Sequence, residues 1–273
     1  MEKLSFKGDV GPQLLFLGTG TSQGVPVIGC RCAVCQSADP RDNRLRSSTY
    51  IEYDGVRLLI DAGPDFRQQL LRANITNVDA ILLTHQHKDH TAGLDDVRAF
   101  NYINGRAIDI YAEERVQEAL KSEFSYAFKE EKYPGIPEFL LHTIDEQPFR
   151  IGTIEVIPIR VWHAKLPILG FRIANVAYIT DANRIETSEL KKLENLSVLV
   201  INAVRRKPHI SHFNLQEAIS VAQKVGAKET YLTHLSHQMG LHHDTQKELP
   251  VGIALAYDGL SVHQADGRPQ AHE

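Results

Sequence analysis

Three histidines and an aspartate fall within six positions in Thr84-His85-Gln86-His87-Lys88-Asp89-His90. His85 and His87, two apart after an apolar run, leave an extended backbone on the same side, while Asp89 and His90 open the next turn. Neutral imidazole nitrogen and carboxylate oxygen suit divalent zinc, manganese or iron, whereas thiolates would bias a site toward softer ions. A second cluster, Cys30-Arg31-Cys32-Ala33-Val34-Cys35, sets thiols at the spacing of three corners of a zinc tetrahedron and leaves the fourth corner open. Three cysteines cannot pair completely, so a metal clip fits them better than a disulfide framework. The preceding turn, Gly18-Thr19-Gly20-Thr21-Ser22-Gln23-Gly24-Val25-Pro26, is no P-loop, because no Gly-Lys-Ser/Thr follows.

Strand ends and turns must bring these side chains together. Gln13 to Leu17 reads as a buried strand ending at Gly18-Thr19-Gly20. Thr49 to Tyr53 and Val56 to Ile60 flank Asp54-Gly55, a dipeptide that tight hairpin turns favour because it tolerates positive φ. Phe66, Leu70, Leu71 and Ala73 fall at helical spacing, and Ala80 to Leu83 is the strand that opens into the histidine loop. Leu94 to Ile103 and Arg115 to Phe128 read as helices, Ile108 to Tyr111 as a strand, and Tyr133-Pro134-Gly135-Ile136-Pro137 as a break. The β-branched stretches 151–162 and 169–180 are expected to be strands. Ala218, Val221, Ala222 and Val225 share one helix face, with Asn214 and Glu217 at capping-box spacing, and Glu229 to Thr233 is the strand after it. Hairpins followed by strand–helix alternation predict mixed sheets covered by helices, compatible with a four-layer α/β/β/α sandwich.

The run His85 to His90 resembles the HxHxDH signature of the metallo-β-lactamase superfamily, and the resemblance covers nearly the whole chain. It implies an α/β fold, the four-layer αββα sandwich with mixed sheets, and a single metallo-β-lactamase-like domain over 1–273. It also implies two divalent metal ions, with His85, His87 and His163 on one, Asp89, His90 and His234 on the other, and Asp181 bridging. His163, Asp181 and His234 each stand at an expected strand end. Asp61, in Leu59-Ile60-Asp61-Ala62-Gly63, matches the family's acidic group behind the ligands, where it would orient an imidazole. The glycine turn, the three cysteines and Leu232-Thr233-His234-Leu235-Ser236-His237-Gln238 together resemble the phosphoribosyl 1,2-cyclic phosphate phosphodiesterases of the carbon–phosphorus lyase pathway. That likeness implies one structural zinc on Cys30, Cys32, Cys35 and His237.

Two ions about 3.5–4 Å apart lower the pKa of a shared water and clamp the oxygens of an in-line displacement. With that chemistry, the resemblance implies a phosphodiesterase acting on a small cyclic phosphate or nucleotide-like diester, with Asp89 and His212 as catalytic residues. His212 lies two positions before the Asn214 cap, where free N–H groups of a helix start favour an anion, and it matches the family's phosphate-facing histidine. His209 is the competing choice, and Arg205, Arg206 and Lys207 are candidates for a second phosphate. The alternatives are a ribonuclease Z-like RNA endonuclease, which needs a basic glycine-rich arm not evident here, and a thioester hydrolase or persulfide dioxygenase on the same fold. His242 and His243 fit no motif and are expected to face solvent.

Thirty Lys and Arg against 34 Asp and Glu give a formal charge of −4, which supplies no bulk basic field for nucleic acid or an anionic membrane. No apolar run approaches the roughly 20 residues needed to span a bilayer, and Met1 to Phe6 lacks a secretory pattern. The expected location is the cytoplasm, the expected partner a small phosphodiester, and a homodimer is compatible.

Overall fold

The computed structural model describes residues 10–129 and 133–265. In chain order, β1 (Val10–Gly18), β2 (Ser48–Tyr53), β3 (Val56–Ile60), β4 (Ala80–Leu82), β5 (Ile108–Ala112) and β6 (Phe139–Thr143) build the first sheet. The second sheet holds β7 (Phe149–Ile151), β8 (Ile154–His163), β9 (Leu166–Ile173), β10 (Val176–Ile179), β11 (Arg184–Ile185), β12 (Val198–Asn202), β13 (Glu229–Thr233) and β14 (Ile253–Leu255). The final strand, β15 (Ser261–Ala265), returns to the first sheet beside β1. Strand order is β15-β1-β2-β3-β4-β5-β6 in one and β11-β8-β9-β10-β12-β13-β14 in the other, with β7 paired to β8.

Both sheets are mixed. The series β3–β4–β5–β6 and β10–β12–β13–β14 run parallel, while the hairpin neighbours run antiparallel. Asp54 and Gly55 take φ of 48° and 75°, the left-handed conformations a two-residue turn requires between β2 and β3. One apolar layer, with Phe16, Leu58, Phe171 and Tyr178, fills the space between the sheets. Two more lie between each sheet and its helices: Leu59, Ile81, Val116 and Leu120 on one side, Leu199, Ile201, Ala218 and Ala222 on the other. Four layers follow, α/β/β/α.

Four stretches differ in detail from expectation: Leu94 to Ile103 opens as a 3-10 turn over Leu94–Val97 before the helix Arg98–Asn104, 151–162 turns at Gly152 between β7 and β8, and two others change as follows. The segment 169–180 is not one strand: it turns at Ala174, whose φ is 51°, and pairs β9 with β10. The helix expected over 115–128 stops at Glu123 and continues as a 3-10 turn, Ser125–Phe128.

His242 is corrected as well: it is buried, and only His243 is exposed. Arg44, 5% exposed, pairs with no carboxylate among the described residues; its guanidinium donates to Thr19 Oγ1 (2.8 Å), the Ala256 carbonyl (2.6 Å) and His242 Nδ1 (3.1 Å). Burial, with Arg44 and Arg41 nearby, pushes the His242 ring down to about 4 from 6.5. The unfolded ring gains its proton near pH 6.5 and the folded ring only near 4. The stabilising contribution is therefore complete above pH 6.5 and is lost as the pH falls toward 4. Denaturant midpoints at pH 7 and pH 4.5 should show the wild type losing roughly 1–3 kcal/mol more than His242→Asn; equal losses would remove His242 from the acid sensitivity.

Candidate metal centre

The histidine loop leaves the C-terminal end of β4, and its neighbours press close. The N–H of Ala62 donates to the His90 carbonyl (2.8 Å), and the N–H of Gly93 donates to the Ala62 carbonyl (2.9 Å). A Cβ on Gly63 would stand 2.0 Å from the Asp89 carbonyl oxygen, and one on Gly93 would stand 2.0 Å from that of Gly63. Only glycine permits this approach. Across the molecule, Leu169 N–H donates to the Thr84 carbonyl (3.1 Å) and ties the second sheet to the loop.

Asp61, Asp181 and His234 follow β3, β10 and β13 with φ of 63°, 58° and 55°. A left-handed conformation at a non-glycine residue is unfavourable and is retained only where the surroundings enforce it. Here it turns each side chain from the strand end toward the same point between the sheets.

The structure brings the seven expected ligands together. His85 Nε2 and His87 Nδ1 are 3.0 Å apart, and the His163 ring lies 5.7 Å and 5.2 Å from those two rings. His90 Nε2 lies 3.2 Å from Asp89 Oδ2 and 3.3 Å from Asp181 Oδ2, and His234 Nδ1 is 3.3 Å from the same Asp181 oxygen. Asp89, His90, Asp181 and His234 can offer ligand atoms all within 4.8 Å of one another. His212 joins from the far side, with Nε2 3.0 Å from Asp181 Oδ1. Cys30, Cys32 and Cys35 place their sulfurs 3.3, 3.5 and 3.5 Å from His237 Nδ1.

Whether the main cluster fits cations is answered by its hydrogen bonds. His90 Nδ1–H donates to Asp61 (2.7 Å), and His163 Nδ1–H donates to the carbonyls of Asp181 (2.8 Å) and Ser211 (2.9 Å). His85 Nδ1–H donates to Thr84 Oγ1 (2.9 Å), whose own hydroxyl donates to Asp61 (2.9 Å). Ser47 Oγ donates to the Gly20 carbonyl (2.9 Å) and lies 3.1 Å from His234 Nδ1, the nitrogen that also faces Asp181. With Nδ1 protonated in His85 and His163, their Nε2 atoms carry free lone pairs. Among the described residues the buried His90 Nε2 has no aligned hydrogen-bond partner, although Asp89 and Asp181 stand beside it. Neutral nitrogens and carboxylates converging in this way match a divalent cation.

The electrostatics agree. Burial by itself would lower the His90 pKa, but Asp181, Asp61 and Asp89 override it and hold the ring well above its usual value, so a cation bound at Nε2 would take the place of a proton. Burial, reinforced by His90, drives His85 well below its usual range and keeps it neutral. Three carboxylates around one imidazole form the kind of negative pocket that divalent ions balance.

Sequence reasoning found Asp61 but missed Thr84 and Ser47 as the partners of His85 and His234. Thr84 adjoins its histidine in sequence; Ser47 lies 187 residues from His234 and carries no local signal. Thr84→Val should keep the side-chain volume and weaken metal affinity by about 10–100-fold, measured by competition with a chelator. Unaltered affinity would show that His85 needs no such support.

Two expectations about anion binding are corrected. The start of helix Leu215–Val225 is occupied by its own chain: Asn214 Oδ1 accepts from Glu217 N–H (3.0 Å), Glu217 Oε2 from Asn214 N–H (2.9 Å), and the Arg205 carbonyl from Leu215 N–H (2.9 Å). It is not an open anion seat. Arg206 pairs with Glu248 (2.7 Å) and donates to the Met239 carbonyl, while Arg205 donates to the carbonyls of Lys207 and Pro208. These two arginines hold loops rather than a second phosphate.

With fold and cluster in place, the comparisons agree. The chain belongs to the β-lactamase superfamily: the family model described as "Beta-lactamase superfamily domain" matches residues 56–235, and the two-sheet architecture is the metallo-β-lactamase sandwich of metal-dependent hydrolases. A more particular likeness is to a crystal structure described as a new diphosphatase from the PhnP family, with 42% identity, a TM-score of 0.87, and coverage of 93% of this chain and 98% of that one. An octanoyltransferase from Porphyromonas gingivalis is 43% identical over 251 residues, 91% of this chain but 51% of the relative, so the chain spans about half that protein's length. A ribonuclease Z from Pyrobaculum islandicum is 28% identical over 139 residues, 49% of this chain and 43% of that one. Among the described residues no helix is long and apolar enough to cross a membrane.

Proposed function

We propose that this metal-dependent hydrolase cleaves a phosphorus–oxygen bond in a small cyclic phosphate or nucleotide-like phosphodiester. The observation that carries the reading is His212. Its Nε2 lies 3.0 Å from Asp181 Oδ1, while the side chain retains 12% exposure against 3% for the aspartate. An imidazole placed there can pair with a phosphate oxygen and deliver the Nε2 proton to the leaving oxygen.

Zinc, manganese or iron held by His85, His87 and His163, by Asp89, His90 and His234, and by Asp181 between them would supply Lewis-acid polarisation and a more acidic water. The chain's own residues do the rest. Asp61, Thr84 and the Ser211 carbonyl orient the ligand imidazoles. Asp89 is held ionised by His90 although burial opposes it, and with 13% of its side chain exposed it faces the incoming water. His212 supplies the proton that departs with the product.

A second reading, hydrolysis of a diphosphate anhydride, is favoured by the diphosphatase at 42% identity. It would use the same residues on a different phosphorus–oxygen bond. The octanoyltransferase relative and the ribonuclease Z relative make a thioester and an RNA necessary controls. One plate compares bis-p-nitrophenyl phosphate, 2′,3′-cyclic nucleotides, phosphoribosyl cyclic phosphate, a dinucleoside diphosphate, an octanoyl thioester and a precursor tRNA, each with and without chelator. Chelator-sensitive turnover should be fastest on the small diesters; turnover confined to the thioester or to RNA overturns the reading. His212→Ala should retain its metals and lose about 10²–10³-fold in kcat, and wild-type kinetics would remove His212 from the reaction.

A further inference from the structure

Gln86 stands between two of the expected ligands, His85 and His87, and the alternation of an extended chain sets its side chain on the other side of the loop. Arg115, in the first turn of the helix Glu114–Glu123, meets it there: Nη1 donates to Gln86 Oε1 (3.1 Å). The second terminal nitrogen, Nη2, donates to Glu113 Oε2 (2.7 Å) and to the Pro167 carbonyl. A guanidinium only donates, so the direction of each of these bonds is fixed. Pro167 lies in β9 next to Leu166, which pairs with His163 in β8. One side chain therefore reaches from the histidine loop of the first sheet to the strand beside His163 in the second.

The chains part at this point. Leu169 N–H closes directly on the Thr84 carbonyl (3.1 Å), but two residues further along each segment, at Pro167 and Gln86, the guanidinium spans the gap. We propose that Arg115 is a positioning residue that straps Gln86 to Pro167, fixing the distance of His163 from His85 and His87 and so the affinity for the ion those three would hold. Glu113 anchors the strap from behind. Its Oε1 accepts from Arg160 Nη2 (2.5 Å), three residues before His163 in β8, while its Oε2 balances the charge of Arg115. Arg115 is thus no free cation for a phosphate; it acts through the imidazoles, whose geometry must be held closely for a metal to bind well.

The inference rests on the two-ion reading of the cage. Chelator competition on the full chain, with metal content measured, gives the zinc affinity of each equivalent, the one at the thiol cluster included. Arg115→Met should weaken one equivalent in the histidine cage by about 10–100-fold and leave the others within about threefold. Gln86→Leu, which removes the acceptor on the loop, should do the same, and the double variant should bind no worse than either single one, because all three break one strap. In excess zinc, Arg115→Met should recover its hydrolysis, with KM within about threefold of the wild type.

Unaltered affinity of every equivalent in Arg115→Met overturns the proposal. So does equal weakening of all of them with a lower melting temperature, the mark of general loosening, and so does a KM that stays raised in excess zinc, which would put Arg115 on the substrate. Should Arg115→Met fail to fold, Gln86→Leu carries the same comparison. If the wild-type cage holds a single ion, the two-ion reading falls, and the strap stands only if that ion weakens in the variant while the thiol-cluster zinc does not.

Discussion

Asp181→Ala is expected to abolish nearly all hydrolysis, with a fall on the order of 10³-fold or more in kcat and loss of bound metal measured on the purified protein. Among the described residues no other carboxylate touches as many of the cluster's groups. One oxygen lies 3.3 Å from both His90 Nε2 and His234 Nδ1, and the other lies 3.0 Å from His212 Nε2. Burial would raise its pKa, but His234, His90 and His212 hold it well below the carboxylate range, so it stays charged. Alanine removes the one anion shared by both halves of the cage. Asp181→Asn keeps the volume and the Thr180 neighbour but not the charge, and should be nearly as inactive. Wild-type rates with full metal content in either variant would dissolve the two-ion assignment.

The second large effect is expected at the thiol cluster. Cys35 N–H donates to the Cys32 sulfur, and this bond, with His237 and Cys30 beside it, holds the Cys32 thiol down at about 6. Cys32 therefore offers thiolate at neutral pH, the form that binds zinc. A zinc there would join Cys35 to His237 across 202 residues of chain. It would also brace the end of β13, because His234 lies three residues earlier and Leu235 N–H donates to the Thr19 carbonyl (2.8 Å) beside the cysteine loop. Cys32→Ser should lose about one zinc per chain and about 2–5 kcal/mol of stability, the range for losing a native cross-link. Unchanged zinc content and an unchanged melting temperature would leave the cysteines as inert thiols.

Much of the architecture was legible because it is local. Apolar alternation and Asp54-Gly55 specify the β2–β3 hairpin, and Asn214 with Glu217 forms the expected capping box at the start of the helix. The strand-sized apolar run Val198 to Ile201 is β12, and the strands that escaped notice were β6, β7, β11, β14 and β15. Most are short or lie at a sheet edge, where half-exposed residues such as those of β6 give no buried run to read.

The sequence by itself determined the histidine loop, the cysteine spacing and the order of the later ligand candidates, because neighbouring residues are bound to share a turn. Only tertiary structure decided which nitrogen each imidazole offers. Those choices depend on acceptors brought in from elsewhere: Asp61 behind His90 and the Ser211 carbonyl behind His163. It also decided that the helix start at Asn214 is closed to anions and that His242 is buried under Arg44. The physical reason is the same in each case: a hydrogen bond depends on direction as well as distance, and direction between distant segments is fixed only when the sheets pack.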